Sequence, residues 1–275
     1  MGSTTQELIR EVATEASPII DRIARLGLLA NGVVVLIVGA FALRFVLGFG
    51  EGLAGPEDAL ASLPRQPFGR ITLALLSLGL WAYAVWKLVQ AIVDPEHKGT
   101  SFVGMMERVG FGFTALVYMT LGVAGLQLLL GDQVGGATAP DELAAKILAP
   151  HLGRSVVGLL GGIIVLAGVL QVRMGMTAKF RHTLALERMS RSAVIAVLVL
   201  GCMGYLALGI VSIVIGYFLI RVALLYDPAA AGGWQEALVL LGTLDPGRWA
   251  LGAVAAGVVS YGLFFAMLVR YRRTY

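Results

Sequence analysis

A chain of 275 residues with 58% hydrophobic and only 14% charged side chains is too apolar for a water-soluble domain, where about a quarter of residues carry charge. The net charge of +4 comes without a long basic run, which excludes an electrostatic nucleic-acid binder and leaves no nucleic-acid partner expected. One cysteine, Cys202, and three scattered histidines, His97, His151 and His182, allow no internal disulfide and show no metal-ligand spacing, so neither metal nor other cofactor is expected.

Residues 1–20 are polar and mixed in charge, without the basic start and short apolar core of a cleavable signal. Residues 21–275 read as a single transmembrane domain. Crossing the bilayer core takes roughly 20 apolar residues as a helix. Six stretches qualify: Gly27–Gly48, Ile71–Val93, Val109–Gly131, Ser155–Met176, Ala193–Leu225 and Trp249–Val269. The fifth is too long for one span. It is either a tilted helix with a protruding end or two segments broken near Gly201–Gly204. None alternates with the period of a membrane β-strand, so the fold class is an all-α integral membrane protein.

The connecting segments differ in charge. Those before the first span, between spans two and three, between four and five, and after six hold Arg10, Arg22, Arg25, Lys98, Arg108, Lys179, Arg181, Arg188, Arg191, Arg270, Arg272 and Arg273. The opposite loops hold Arg65, Arg70, Lys146, Arg154 and Arg248. The positive-inside rule then places both termini in the cytoplasm.

Three segments align: ARLGLLANGVVVLIVGAFALR from Ala24, ERVGFGFTALVYMTLGVAGLQ from Glu107, and CMGYLALGIVSIVIGYFLIR from Cys202. Gly27, Gly110 and Gly204 share one position; Gly39, Gly122 and Gly216 share another; Arg44, Gln127 and Arg221 share a third. The even-numbered spans repeat too, each preceded by PFGR, PHLGR or DPGR and by a short amphipathic stretch that puts Asp58, Glu142 and Glu236 at one position. The chain therefore reads as three tandem two-span units, approximately 21–98, 99–183 and 184–275. Two spans per unit keep the orientation constant, so the units are parallel about a pseudo-threefold axis along the membrane normal. The stretches before the even-numbered spans are expected to lie as short interfacial helices in the outer loops.

The R-x-G opening of the first span, the glycine twelve residues later, and LPRQPFGRITLALLSLGLWAYAVWKLVQAI resemble the bacterial membrane proteins of domain-of-unknown-function family 1206. The resemblance implies a six-helix, three-repeat architecture in a bacterial cytoplasmic (inner) membrane, and no activity. Members of that family often carry an Ala-Arg-Gly run early in the first span, where this chain reads Ala30-Asn31-Gly32.

No span contains a carboxylate or a histidine, so no catalytic residue is assigned and the chain is not expected to be an enzyme. The same gap argues against a proton- or sodium-coupled carrier. The polar candidates are cationic. Arg44 and Arg221 sit about one turn inside the outer boundary and read as arginines snorkelling to headgroups or as an anion or lipid-headgroup site. Arg70, Arg154 and Arg248 precede the even-numbered spans and read as anchors to loop carbonyls or as phosphate contacts. Lys87 lies deeper in the second span, with Gln171 at the matching position, and either snorkels or lines an anion path. Arg173 is placed for inner-leaflet headgroups. Asp58, Glu142 and Glu236 are read as structural outer-loop carboxylates. Gly158-x-x-x-Gly162, Ala253-x-x-x-Gly257 and the pair Gly32 and Gly39 read as helix-packing glycines. A non-catalytic scaffold that binds lipids or a partner, including a second copy of itself, is the leading functional reading. A channel or facilitator for anions or small neutral molecules is the alternative.

Overall fold

The computed structural model describes residues 25–49, 53, 55–65, 67–93, 102–131, 153–225, 232–243 and 247–271. Among the described residues eight α-helices follow in chain order: α1 Arg25–Val46, α2 Pro56–Ser62, α3 Gly69–Val93, α4 Phe102–Leu130, α5 Gly153–Thr177, α6 Arg191–Leu225, α7 Trp234–Thr243 and α8 Gly247–Tyr271. Six of them, α1, α3, α4, α5, α6 and α8, are long and apolar enough to cross a membrane. Among the described residues no strand is formed. The end at which α1 starts and α8 finishes is the termini side; the opposite end is the far side.

α6 is one uninterrupted helix of 35 residues, which decides between the two readings of the fifth span. At 1.5 Å per residue it runs about 52 Å, against a hydrocarbon core of about 30 Å. Its early turns are covered by the segment that leads into it. There Phe180 packs on Gly201, stacks on Tyr205 with ring centroids 5.3 Å apart, and shares a cluster with the fully buried Leu184 and Val197. The Ala185 amide donates to the Tyr271 carbonyl at 2.9 Å, tying that segment to the end of α8.

The short helices α2 and α7 form where expected. The carboxylates at their third positions face back to cap them. The Gly55 amide donates to Asp58 Oδ2 at 2.9 Å, and the Gly233 amide donates to Glu236 Oε2 at 2.7 Å. Each carboxylate thus satisfies an amide at the start of its helix. Glu142, with the rest of the middle outer loop, lies outside the described residues. At two of the three G-R pairs the glycine has a steric reason: a side chain at Gly69 would overlap the Leu63 carbonyl, and one at Gly247 the Gly242 carbonyl.

The long helices pack through small residues. At each of three aligned glycines the neighbour is an even-numbered span at one aligned position. A methyl group on Gly39 would lie 2.8 Å from the Val259 nitrogen, one on Gly122 2.6 Å from Trp81 Cδ1, and one on Gly216 2.7 Å from Val165 Cγ2. These contacts join α1 to α8, α4 to α3 and α6 to α5. The α5–α6 contact runs furthest. Gly161, Gly168 and Gly175 lie against the backbone at Gly216, Gly209 and Cys202, so both helices present small residues every seven positions and pack as an antiparallel seam. The expected Gly158 and Gly162 pair is corrected here: Gly162 meets nothing within 4 Å, and Gly158 only the Ala223 methyl at 3.3 Å. Gly257 does pack closely, against Ala207, and Gly32 and Gly39 both face α8.

Within units, the first and third pairs close alike. Gly79 on α3 receives Ala30 of α1, and Gly257 on α8 receives Ala207 of α6; Gly27 lies against Tyr83, and Gly204 against Tyr261. The middle pair does not close. Gly110, aligned with Gly27 and Gly204, has no neighbour within 4 Å, and α4 and α5 meet far less than α3 and α4 or α5 and α6. The sequence supplies the reason. Where the other units set alanine against glycine, the middle one sets Phe113 against Ile163, and two bulky side chains hold the backbones apart. Accordingly, over the most apolar 18 residues of each helix, 56% of the α1 stretch and 50% of the α8 stretch are buried against 17% of the α5 stretch.

Candidate functional site

Of the expected cationic residues, Arg248 has the most definite partner. Its Nε donates to the Val46 carbonyl at 3.0 Å, in the last turn of α1. Terminal carbonyls of a helix lack intrahelical partners. The guanidinium supplies a donor, so Arg248 ties the start of α8 to the end of α1. Arg70 is exposed at the start of α3; the side chain of Arg154 lies outside the described residues.

Arg44 and Arg221 are exposed and stay apart. Arg44 Nη2 donates to the Phe49 carbonyl at 3.4 Å, just past its own helix, and Arg221 lies 5.9 Å from the Tyr217 ring centroid. Lys87 is half-buried between α3 and α4, its Nζ 4.6 Å from the centroid of Phe111 and 5.4 Å from that of Tyr83. Ring faces carry negative potential, so the two aromatics stabilise the ammonium. At the matching position of α5, Gln171 Oε1 accepts from Ser212 at 3.5 Å.

Two features escaped the sequence reading. The first is Arg108. Its Nε donates to the Ala91 carbonyl at 2.8 Å and its Nη2 to the Ile92 carbonyl at 2.9 Å. This mirrors Arg248 at the other end of the bundle: an arginine entering one helix caps the carbonyls leaving its antiparallel neighbour. The R-x-G pattern carried that signal, since Arg108 precedes Gly110 as Arg25 precedes Gly27. The second is a cluster of tyrosines in which Tyr83 is buried and Tyr118, Tyr205 and Tyr261 are half-buried. Tyr118 of α4 donates to Asn31 Oδ1 of α1 at 2.5 Å and meets Tyr83 of α3 edge to face at 4.7 Å. Tyr205 of α6 and Tyr261 of α8 are edge to face at 5.2 Å, and Tyr261 meets Phe265 at 4.8 Å. Five long helices thus converge on one aromatic plug, with Asn31 3% exposed and Tyr83 6% exposed. The plug offers hydrogen-bond donors and ring faces but no carboxylate or imidazole. Among the described residues no group of three His, Cys, Asp or Glu side chains is placed to hold a metal.

Comparison with known proteins places the chain. The family described as Domain of Unknown Function (DUF1206) matches residues 26–94 and 203–272. These are the first and third two-helix pairs, the ones that close on alanine and glycine. The chain is 31% identical over 257 residues to Uncharacterized protein YxxB of Bacillus subtilis (strain 168), across 94% of this chain and 93% of that protein. No solved structure matches it. The chain belongs to the DUF1206 family.

Proposed function

We propose that this member of the DUF1206 family is a non-catalytic scaffold of the bacterial cytoplasmic membrane. Six spans form three parallel two-helix units about a pseudo-threefold axis, both termini face the cytoplasm, and the bundle holds lipids or a membrane partner. The observation that carries the reading is where the polar groups go. Arg108 and Arg248 cap helix ends, Asp58 and Glu236 cap interfacial helices, and Asn31 with Tyr118 ties α1 to α4. These groups serve closure of the fold. The recurring glycine contacts of α1 on α8, α4 on α3 and α6 on α5 support the repeat, and the basic residues gathered on the termini side support the orientation.

A facilitator for anions or small solutes is the competing reading, and Lys87 is the residue that favours it. Sealed proteoliposomes tested with chloride, protons and small neutral solutes separate the two. The scaffold predicts flux no greater than in protein-free vesicles. Selective flux that is lost on Lys87→Ala or Arg44→Ala overturns it. Cysteine labelling from either side of intact cells, with reporters near each terminus, checks the orientation.

A further inference from the structure

The amphipathic helix α7 buries Ala237, Leu238 and Leu241 on one face. Its other face walls a groove of about 310 Å³ at the far side, lined by Phe218 of α6 and by Gln235, Glu236, Val239, Leu240 and Thr243 of α7. The wall is mixed: Phe218, Val239 and Leu240 are apolar, and the other three carry oxygen acceptors. Glu236 commits Oε2 to the Gly233 amide at 2.7 Å, which leaves its second oxygen. Thr243 donates its proton to the Leu240 carbonyl at 2.7 Å, which leaves its lone pairs. Positive charge stands beside them. Arg221 follows Phe218 by three residues and so shares that side of α6; it is exposed, 5.9 Å from the Tyr217 ring centroid. The first unit differs at every one of these points. Its matching arginine, Arg44, donates to the Phe49 carbonyl of its own loop, and Val239, Leu240 and Thr243 give way to Ala61, Ser62 and Arg65.

We infer that this groove holds the headgroup of one aminophospholipid from the leaflet on the far side. Its phosphate meets Arg221, its primary ammonium meets Glu236, Thr243 and Gln235, and its glycerol end lies along Phe218, Val239 and Leu240. This deepens the scaffold reading by naming the lipid class, and it rests on that reading. Three observations choose the occupant. The first is charge. One guanidinium and one carboxylate sum to zero and match a zwitterion, whereas a net anionic headgroup sets an unpaired charge beside Glu236. The second is hydrogen bonding. A primary ammonium brings three donors to three acceptors, and a trimethylammonium brings none. The third is depth. Arg221 lies four residues before the end of α6 at Leu225, about 6 Å, and the exposed Leu224 and Leu225 continue past it. The groove therefore opens at the boundary of acyl chains and headgroups, where a lipid reaches it and a soluble phosphate ester does not.

The test uses the full chain, delipidated in mild detergent and then offered phosphatidylethanolamine, phosphatidylcholine or phosphatidylglycerol, with retained lipid counted by native mass spectrometry. One phosphatidylethanolamine per chain is expected, at roughly tenfold preference over each of the others, the factor that one hydrogen bond to a charged group confers. Glu236→Gln keeps an oxygen for the Gly233 amide and so keeps the helix cap; it is expected to bring phosphatidylethanolamine down to the level of phosphatidylcholine. Arg221→Gln is expected to weaken those two lipids alike, because both carry the phosphate. Equal retention of the three lipids, unmoved by Glu236→Gln, overturns the inference. So does a preference for phosphatidylglycerol, because the groove then reads negative charge alone. Glycerophosphoethanolamine, the same headgroup without chains, is expected to leave the retained lipid in place; displacement by it assigns the groove to a soluble ester and overturns the lipid. The flux measurement reads the scaffold assignment separately, so either conclusion fails without the other.

Discussion

At the scale of single residues, the arginines show how charge is used where water is scarce. Arg108 holds two carbonyls at once, through a part-buried bond to Ala91 and an exposed bond to Ile92. Truncating it strands the part-buried acceptor, and a buried unsatisfied group costs about 1–3 kcal/mol. Arg108→Ala is therefore expected to lower the melting temperature in detergent clearly, and Arg108→Lys is expected to recover only part, because an ammonium lacks the planar fork. The Asn31–Tyr118 bond is weaker. Interhelical hydrogen bonds in membranes contribute about 0.6–2 kcal/mol, so Tyr118→Phe should cost that much. A double-mutant cycle with Asn31→Leu should return a coupling of similar size; a coupling near zero would show that the hydroxyl and amide act independently. The shared position of Asp58 and Glu236 was legible from the sequence, but not that each caps its own helix start, on an amide three residues away. The Asn31–Tyr118 contact joins residues 87 apart, and no local pattern announces it.

At the scale of helices, the six spans were legible to within a few residues except at one start. α4 begins at Phe102 rather than Val109, because helical hydrogen bonding continues past the apolar stretch. Glycine packing was legible in kind but not in register. Attention to glycines four apart pointed to Gly158 and Gly162, whereas the close α5–α6 approach uses glycines seven apart. The two classes of glycine should behave oppositely. Gly168→Ala places a methyl 2.8 Å from the Gly209 carbonyl oxygen, and overpacking of this kind costs about 1–3 kcal/mol. Gly162→Ala meets open space and gains helix propensity of up to about 1 kcal/mol. Thermal unfolding of the two variants side by side checks the register. Equal destabilisation would count against the seven-residue seam.

At the scale of the whole molecule, the repeat read from glycines and G-R pairs prepared the architecture, but not the difference between units. That difference lies in Phe113 and Ile163, which look like ordinary apolar residues until set beside Ala30 and Gly79. The bond from Arg248 to Val46 spans 202 residues and seals the last long helix to the first. A ribosome adds about 5–20 residues each second, so α1 waits on the order of 10–40 s between its own emergence and that of its final neighbour. During that interval the Ala30–Gly79 and Gly27–Tyr83 contacts with α3 hold it first, joined by the Asn31–Tyr118 bond once α4 is made. The first hairpin must therefore persist as a nascent intermediate, and the order of synthesis makes its tight alanine–glycine joint a requirement of biogenesis as well as of the finished bundle.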